Sequence, residues 1–365
     1  MKISFVRGAF LNNFEGQNYP LNITGYSSLF PIDSHVQFPL IKLPSLADFQ
    51  RLSFLNKPIK YIANRTIGDS QVLFGLENHI VDSDIVHVGD PHYYYSYQVA
   101  VLRSKGLIKK LISTWWETIP FNNESTTAKK RIKEFTMQYV DRFVCYTGKA
   151  KQCLITEGVN ANKISLIPLG VDVSLFYPAS KKESKPFTIL FVGRLVEEKG
   201  VMDLYNAFKK VIATTKDIRL HIVGQGPLEN TLRKLIQDVN LQNSVTIEHK
   251  SYKEIPTVFQ QADVFCVPSK KTTTWEEQYG MVFIEAMASG LPIVSTKSGA
   301  IADVVQDAGI LTEEGNEQEL AQSITDLYTN KQLCSKLGTI GRERAEKVFN
   351  AHNTRKLIEE LYVTI

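Results

Sequence analysis

The sequence predicts an α/β protein built from two doubly wound, Rossmann-like domains. Three observations carry that expectation. At 365 residues the chain is too long for one ordinary domain. Short apolar runs alternate with helical periods through both halves, the pattern of parallel sheets covered by helices. Between the halves, FYPASKKESKP (176–186) has two prolines, three lysines and two serines, a linker composition.

In the first half ISFV (3–6) reads as the opening strand and leads into a polar loop, RGAFLNNFEGQNYP (7–20). IVHVG (85–89) gives a second strand, LIKKLIST (107–114) enters a third, and RFVCYT (142–147) is a fourth. A helical period over 149–157 follows, and KISLIPLGVD (163–172) supplies a further strand and turn. Residues 38–71 show no clear period. After the linker, FTILFVGR (187–194) restarts the alternation, with a helix over 201–213 and the strand RLHIVGQG (219–226). A helix to Val239, the strand SVTIE (244–248) and a helix near 255–261 come next. DVFCVP (263–268) then delivers a polar loop, a glycine turn, a short helix and another strand, ending at Val294. Further α/β units run to a helical stretch over 331–361. The expected domains are 1–176 and 177–345, with 346–365 a C-terminal helix packing back towards the first. Such a pair leaves a cleft between the carboxyl ends of two sheets, where ligands of this fold class bind.

Composition narrows the function. With 43% hydrophobic and 22% charged residues either half can bury a core, and a net charge of +4 is too small to argue for nucleic acid. Cys145, Cys153, Cys266 and Cys334 form no CxxC pair, so neither a disulfide framework nor a zinc site is expected. The opening residues have no cleavage-site pattern and no run is long enough to span a bilayer, which makes a cytoplasmic protein the expectation.

The residues with chemistry gather in the second half. In PSKKTTTWEEQYGMVFIEAMASGLPIV (268–294), Glu277 precedes a glycine turn and Glu285 lies inside the helix after it. Between them Gly280, Met281 and Val282 sit where a new helix has unpaired N–H groups, a place for an anionic group flanked by hydroxyl-binding carboxylates. In GRLVEEKG (193–200) Gly193 allows a sharp turn, while Arg194 and Lys199 can reach one point from opposite sides of the loop. Such a pair stabilises the charge on a departing diphosphate without a metal, although two ordinary surface cations read equally well. VGQGPLEN (223–230) has Glu229 where a dinucleotide fingerprint needs its third glycine, so Gly224 belongs to a plain strand-to-helix turn and NAD is disfavoured. Asp82-Ser83-Asp84 matches a metal-holding Asp-x-Asp pattern but reads better as a turn before a strand.

The first half offers less. The aromatics of HYYYSY (92–97), His92 included, either stack on sugar rings or pack on the sheet. In STWWETIPF (113–121) Glu117 either meets an acceptor or caps a turn. AKKRIKEF (128–135) places Lys129, Lys130 and Lys133 on one helical face, a solvated surface in the plain reading and a peripheral membrane contact in the sharper one.

Taken together these motifs resemble the retaining GT-B glycosyltransferases of family 4. Glu277 and Glu285 match the family's E-x7-E element; Gly193, Arg194, Lys199 and Gly200 match its GR…KG loop; IPLGVD (167–172) matches its hinge. IVGQGPLEN (222–230), ADVFCVPS (262–269) and SGAIADVV (298–305) follow in the family's order. The resemblance implies a nucleotide-diphosphate sugar as donor, a glycan or lipid-linked acceptor, no cofactor and no metal. It implies that Arg194 and Lys199 bind the diphosphate with the backbone at Met281 and Val282. Glu285 would take the ribose hydroxyls and Glu277 the hydroxyls of the transferred sugar near its anomeric carbon. Two segments depart from the pattern. NNFEGQN (12–18) has only Gly16 where relatives often pair two glycines, and TWWETIP (114–120) has Trp116 where many place a histidine, with Glu117 beside it. The expected activity is transfer of a hexose-type sugar with retention. A nucleotide-sugar epimerase of the same fold and a non-catalytic sugar-nucleotide-binding subunit are the alternatives.

Overall fold

The computed structural model describes residues 1–9, 11–29, 36–51, 53–179 and 186–365. The chain divides into two compact units, one of Met1–Leu169 with Ala351–Ile365 and one of Gly170–Asn350. The second unit thus begins inside IPLGVD. Most of the linker-like segment, 180–185, lies outside the described residues, as does position 10 of the loop after the first strand.

The first unit holds a seven-stranded sheet of β1 (Ile3–Val6), β2 (Thr24–Ser28), β3 (Leu40–Leu43), β4 (Ile85–Val88), β5 (Lys110–Trp115), β6 (Arg142–Cys145) and β7 (Ile164–Leu166). Its order is β3-β2-β1-β4-β5-β6-β7 and every pairing is parallel. The second unit holds β8 (Phe187–Val192), β9 (Ile218–Val223), β10 (Val245–Glu248), β11 (Val264–Val267), β12 (Ile293–Thr296) and β13 (Gly309–Thr312). These are also all parallel, in the order β10-β9-β8-β11-β12-β13. The second sheet runs 3-2-1-4-5-6 from its own first strand, the dinucleotide-fold order, and the first sheet runs the same way with a seventh strand added at its end. In both the strand order reverses between the first and fourth strands. In this fold class ligands bind at that switch point, outside the carboxyl ends of the strands.

Burial follows position in the sheet. The central strands β1, β4, β11 and β12 are buried throughout, because helices on both faces of a parallel sheet leave no solvated side. Edge strand β3 exposes Ile41 and Lys42, and edge strand β10 exposes Thr246. β2, TGYSS, has no apolar run, and β3, LIKL, is a short edge strand with its two middle residues exposed, so neither carries the pattern of a buried strand. Residues 331–361, read as one helical stretch, form two helices, Lys331–Val348 and Ala351–Thr364. The break falls where Phe349 leaves helical geometry, buries its ring and gives its carbonyl to the Val171 N–H at 2.8 Å. The helix after the break belongs to the first unit.

One surface reading is corrected, and the reading of Asp82-Ser83-Asp84 as a turn before a strand holds. Lys133 is not on a solvated face: its side chain is 2% exposed, bonded to Glu124 at 3.1 Å and Glu157 at 2.5 Å, with Trp115 beneath its ammonium. A buried ammonium between two carboxylates is a structural clamp, so the basic face shrinks to Lys129 and Lys130. Asp84 of the Asp-x-Asp stretch accepts the Lys2 N–H at 2.7 Å and pairs with Lys109 at 2.6 Å, which ties down the turn before β4. No helix among the described residues is long and apolar enough to cross a membrane.

Candidate functional site

In the second unit the predicted residues converge on the switch point between β8 and β11. The loop after β8 ends in a short 3-10 turn, Glu197–Lys199, capped by Gly200 in the left-handed region at φ 68°. A Cβ on Gly200 would collide with the Pro268 carbonyl at the end of β11, so only glycine lets these two loops close together. That approach carries Lys199 across to the β11 loop. Its ammonium meets Glu277 Oε2 at 2.6 Å and lies 5.1 Å from the centre of the Trp275 ring. Ser269 Oγ donates to the same carboxylate oxygen at 3.2 Å. Lys199 and Glu277 are 15% and 8% exposed, a largely desolvated pair where charge counts for more than at the surface.

Glu277 is held from its backbone as well. Ala300 N–H donates to the Glu277 carbonyl at 2.7 Å, and Gly299, at φ 57°, packs so closely on it that a side chain would not fit. Gly280 then turns the chain at φ 77°, ψ 63° and starts the helix Met281–Ala288. The first N–H groups of that helix, those of Met281 and Val282, have no carbonyl one turn back to bond. One turn into the same helix stands Glu285, buried, its carboxylate accepting the Tyr252 hydroxyl at 3.0 Å. Burial pushes this carboxyl up to about 8, only partly offset by Tyr252.

Two predicted features differ. Gly193 does not adopt a left-handed conformation; the close approach belongs to Gly224, where a Cβ would strike the Gly193 carbonyl. Arg194 does not join Lys199 in the pair with Glu277; its side chain is 61% exposed and lies 3.4 Å from Glu198. Ser269, Trp275, Tyr252 and Gly299 were not singled out from the sequence. Only their nearness to Glu277 and Glu285 in space reveals them.

In the first unit, Trp116 and Glu117 follow β5. The Trp116 N–H donates to Asp90 Oδ1 at 2.9 Å, and its ring meets Tyr146 edge-on. Glu117 is buried and its carboxylate is occupied on both oxygens. Oε1 accepts the N–H groups of Thr118 and Ile119, and Oε2 accepts the amides of Asn122 and Asn123. Of the two readings left open, the geometry is that of a turn brace; four donors leave the carboxylate no free lone pair for chemistry. His92 packs on Tyr93, and burial pushes its imidazole down to about 3, helped by Lys133 and Lys129. Tyr93 stacks on the buried Tyr95, so these aromatics pack on the sheet. Gly16 ends a four-residue helix, and a Cβ there would press on Val36. Among the described residues no three or more His, Cys, Asp or Glu side chains gather as a metal site.

Two Rossmann-like units, each with an all-parallel sheet, are the architecture of the GT-B class of glycosyltransferase. The chain belongs to glycosyltransferase family 4: its residues 175–344 match the model of the glycosyl transferases group 1, and residues 49–175 match that of Glycosyltransferase Family 4. It is 26% identical over 327 residues to an uncharacterized glycosyltransferase of Methanocaldococcus jannaschii, covering 87% of this chain and 84% of that one. It is also 26% identical over 302 residues to a putative colanic acid biosynthesis glycosyltransferase, WcaL, of Salmonella typhimurium, covering 78% and 71%. Among solved structures, Anabaena HepE in complex with UDP superposes over 100% of both chains with a TM-score of 0.78 at 16% identity, a likeness of fold.

Proposed function

We propose that the protein transfers a hexose-type sugar, with retention, from a nucleotide-diphosphate sugar to a glycan or lipid-linked acceptor, without a metal. The observation that carries this reading is the contact of Lys199 with Glu277 at the start of the helix Met281–Ala288. Each group satisfies the other. A diphosphate at the helix N-terminus takes the ammonium as its counter-charge, and Glu277 is then released to accept sugar hydroxyls. Arg194, exposed and only loosely tied to Glu198, is free to swing onto the same phosphates. Glu285, one turn deeper, accepts the ribose hydroxyls in place of Tyr252. Charge developing on the departing diphosphate meets Lys199, Arg194 and the helix N–H groups, which supply the electrostatic stabilisation the step requires. The solved HepE complexes with UDP and with UDP-glucose lend support to a nucleotide-sugar donor.

The test is a panel of UDP-, GDP- and ADP-sugars, scored for binding and for hydrolysis or transfer, with Lys199→Ala and Glu277→Ala beside the wild type. Binding of one donor class that both substitutions weaken supports the reading. No binding by any donor, or variants equal to wild type, sinks it. Free epimerised sugar as the product would identify an epimerase, and binding without turnover a sugar-nucleotide-binding subunit.

A further inference from the structure

Lys199 is placed by more than one partner. Its ammonium touches Glu277 Oε2 at 2.6 Å and also lies over the face of the Trp275 ring, 5.1 Å from its centre. The two acidic residues just before it in the chain turn to other cations. Glu198 lies 3.4 Å from Arg194, and Glu197 lies 3.9 Å from Lys270. Trp275 and Glu277 stand two positions apart on the loop after β11, so one short segment supplies both of the groups that meet the ammonium.

The backbone fixes where that ring stands. Thr272 and Trp275 close a four-residue turn, in which the Thr272 N–H donates to the Trp275 carbonyl at 2.7 Å and the Trp275 N–H to Thr272 Oγ1 at 3.0 Å. The Thr274 N–H donates to the same Oγ1 at 3.3 Å. Ahead of the turn the Lys270 N–H donates to the Glu198 carbonyl at 2.9 Å, which ties this loop to the one that carries Lys199. The Lys271 N–H donates to Glu314 Oε2 at 2.9 Å. The ring is thus aimed by the main chain on either side of it, and the flexible lysine stem comes to a surface already in place.

We propose that Trp275 is a positioning residue for donor binding, its ring holding Lys199 beside Glu277 without cancelling the lysine's charge. The inference rests on the donor reading above. An aromatic face attracts a cation through its quadrupole yet carries no net charge, and indole is the strongest of the aromatic rings in this role. A second carboxylate in that place would cancel the charge that a diphosphate needs. With the ring there instead, Lys199 exchanges Glu277 for the diphosphate while one partner stays in contact throughout. A stem confined in advance also lowers the ordering cost of binding.

Two measurements on the full chain test this. The first needs no nucleotide: brief acetylation with acetic anhydride, read at Lys199 by peptide mass spectrometry, with the exposed Lys347 as internal reference. Trp275→Leu is expected to raise the Lys199 rate about threefold, and Trp275→Phe, which keeps an aromatic face, to change it by less than about twofold. The second is the dissociation constant of whichever of UDP, GDP and ADP the wild type binds. Trp275→Leu is expected to raise it about fivefold and Trp275→Phe by less than about twofold. In a Lys199→Ala background Trp275→Leu is expected to change it by less than about twofold, because the ring acts through the lysine. A ring that only supports the loop, or that touches the donor itself, would weaken binding equally in both backgrounds. That result overturns the proposal, as do equal acetylation rates or equal dissociation constants in wild type and Trp275→Leu. Each of these leaves the donor reading standing, whereas failure of all three nucleotides to bind the wild type overturns the donor reading and this use of the ring with it.

Discussion

Glu285→Gln should make the donor-free protein more stable at neutral pH and a poorer binder of its donor. Glu285 is 4% exposed, with the Tyr252 hydroxyl on one carboxylate oxygen. Burial raises its carboxyl from the ordinary 4.5 to about 8. A raised acid pKa means that the folded state holds a proton the unfolded chain has released, so stability falls as pH rises between those two values and levels off above about 8. At about 1.4 kcal/mol per pH unit, the penalty at pH 7 is about 3 kcal/mol, and at pH 5 it is below about 1 kcal/mol. Gln keeps the shape and an oxygen for Tyr252 while removing the titration. Urea unfolding read by hydrogen exchange of a peptide covering residues 281–296 isolates the second unit from the first, which a whole-chain melt would not. The Gln variant is expected to gain on wild type progressively between about pH 5 and pH 8. A gap that does not change with pH refutes the burial argument. Above about pH 8, where Glu285 is ionised, the same variant should bind the donor about tenfold more weakly, because a carboxylate takes both hydroxyls of a diol and an amide oxygen only one. A substitution that stabilises the protein and damages binding marks a group kept for function.

Other substitutions separate structure from site. Lys199→Ala should raise the donor dissociation constant by about tenfold or more, measured by calorimetry against Lys199→Arg, which should restore part of the loss. Gly200→Ala should destabilise the second unit by more than about 1 kcal/mol from its left-handed backbone alone, before the collision with Pro268 is counted. Lys133→Met should cost about 3–5 kcal/mol in thermal denaturation by leaving Glu124 and Glu157 without their cation, and vesicle binding, if there is any, should not change. Tyr362→Phe should cost about 1–2 kcal/mol by stranding His87 Nδ1.

The central strands and the second unit's loops were legible because β8 and β11 carry the apolar runs ILFV and VFCV and the loops after them carry glycines at positions only glycine tolerates. β2 and β3 were not, because one is polar and the other lies at an edge, where burial no longer writes a pattern. Glu277 and Lys199 could each be named from local sequence, but not that they touch, since 78 residues separate them. Glu117 shows the opposite limit. A lone glutamate after a strand looks the same whether it serves chemistry or braces a turn, and only its four donors decide. The buried pair of Arg7 and Glu15 is not legible either, because nothing local in RGAFLNNFEGQN marks it.

The division of the chain sets the order in which its parts can be completed. The second unit is continuous, Gly170–Asn350, and is inserted between two pieces of the first. Residues 1–169 leave the ribosome without the helix Ala351–Thr364, and His87 lacks its Tyr362 partner until the entire second unit has been synthesised. During that interval the His87 ring and the surfaces this helix will cover stay open to water or to chaperones. The second unit suffers no such delay and can be excised as one segment, whereas a cut at Leu169 yields a first unit that lacks its final helix.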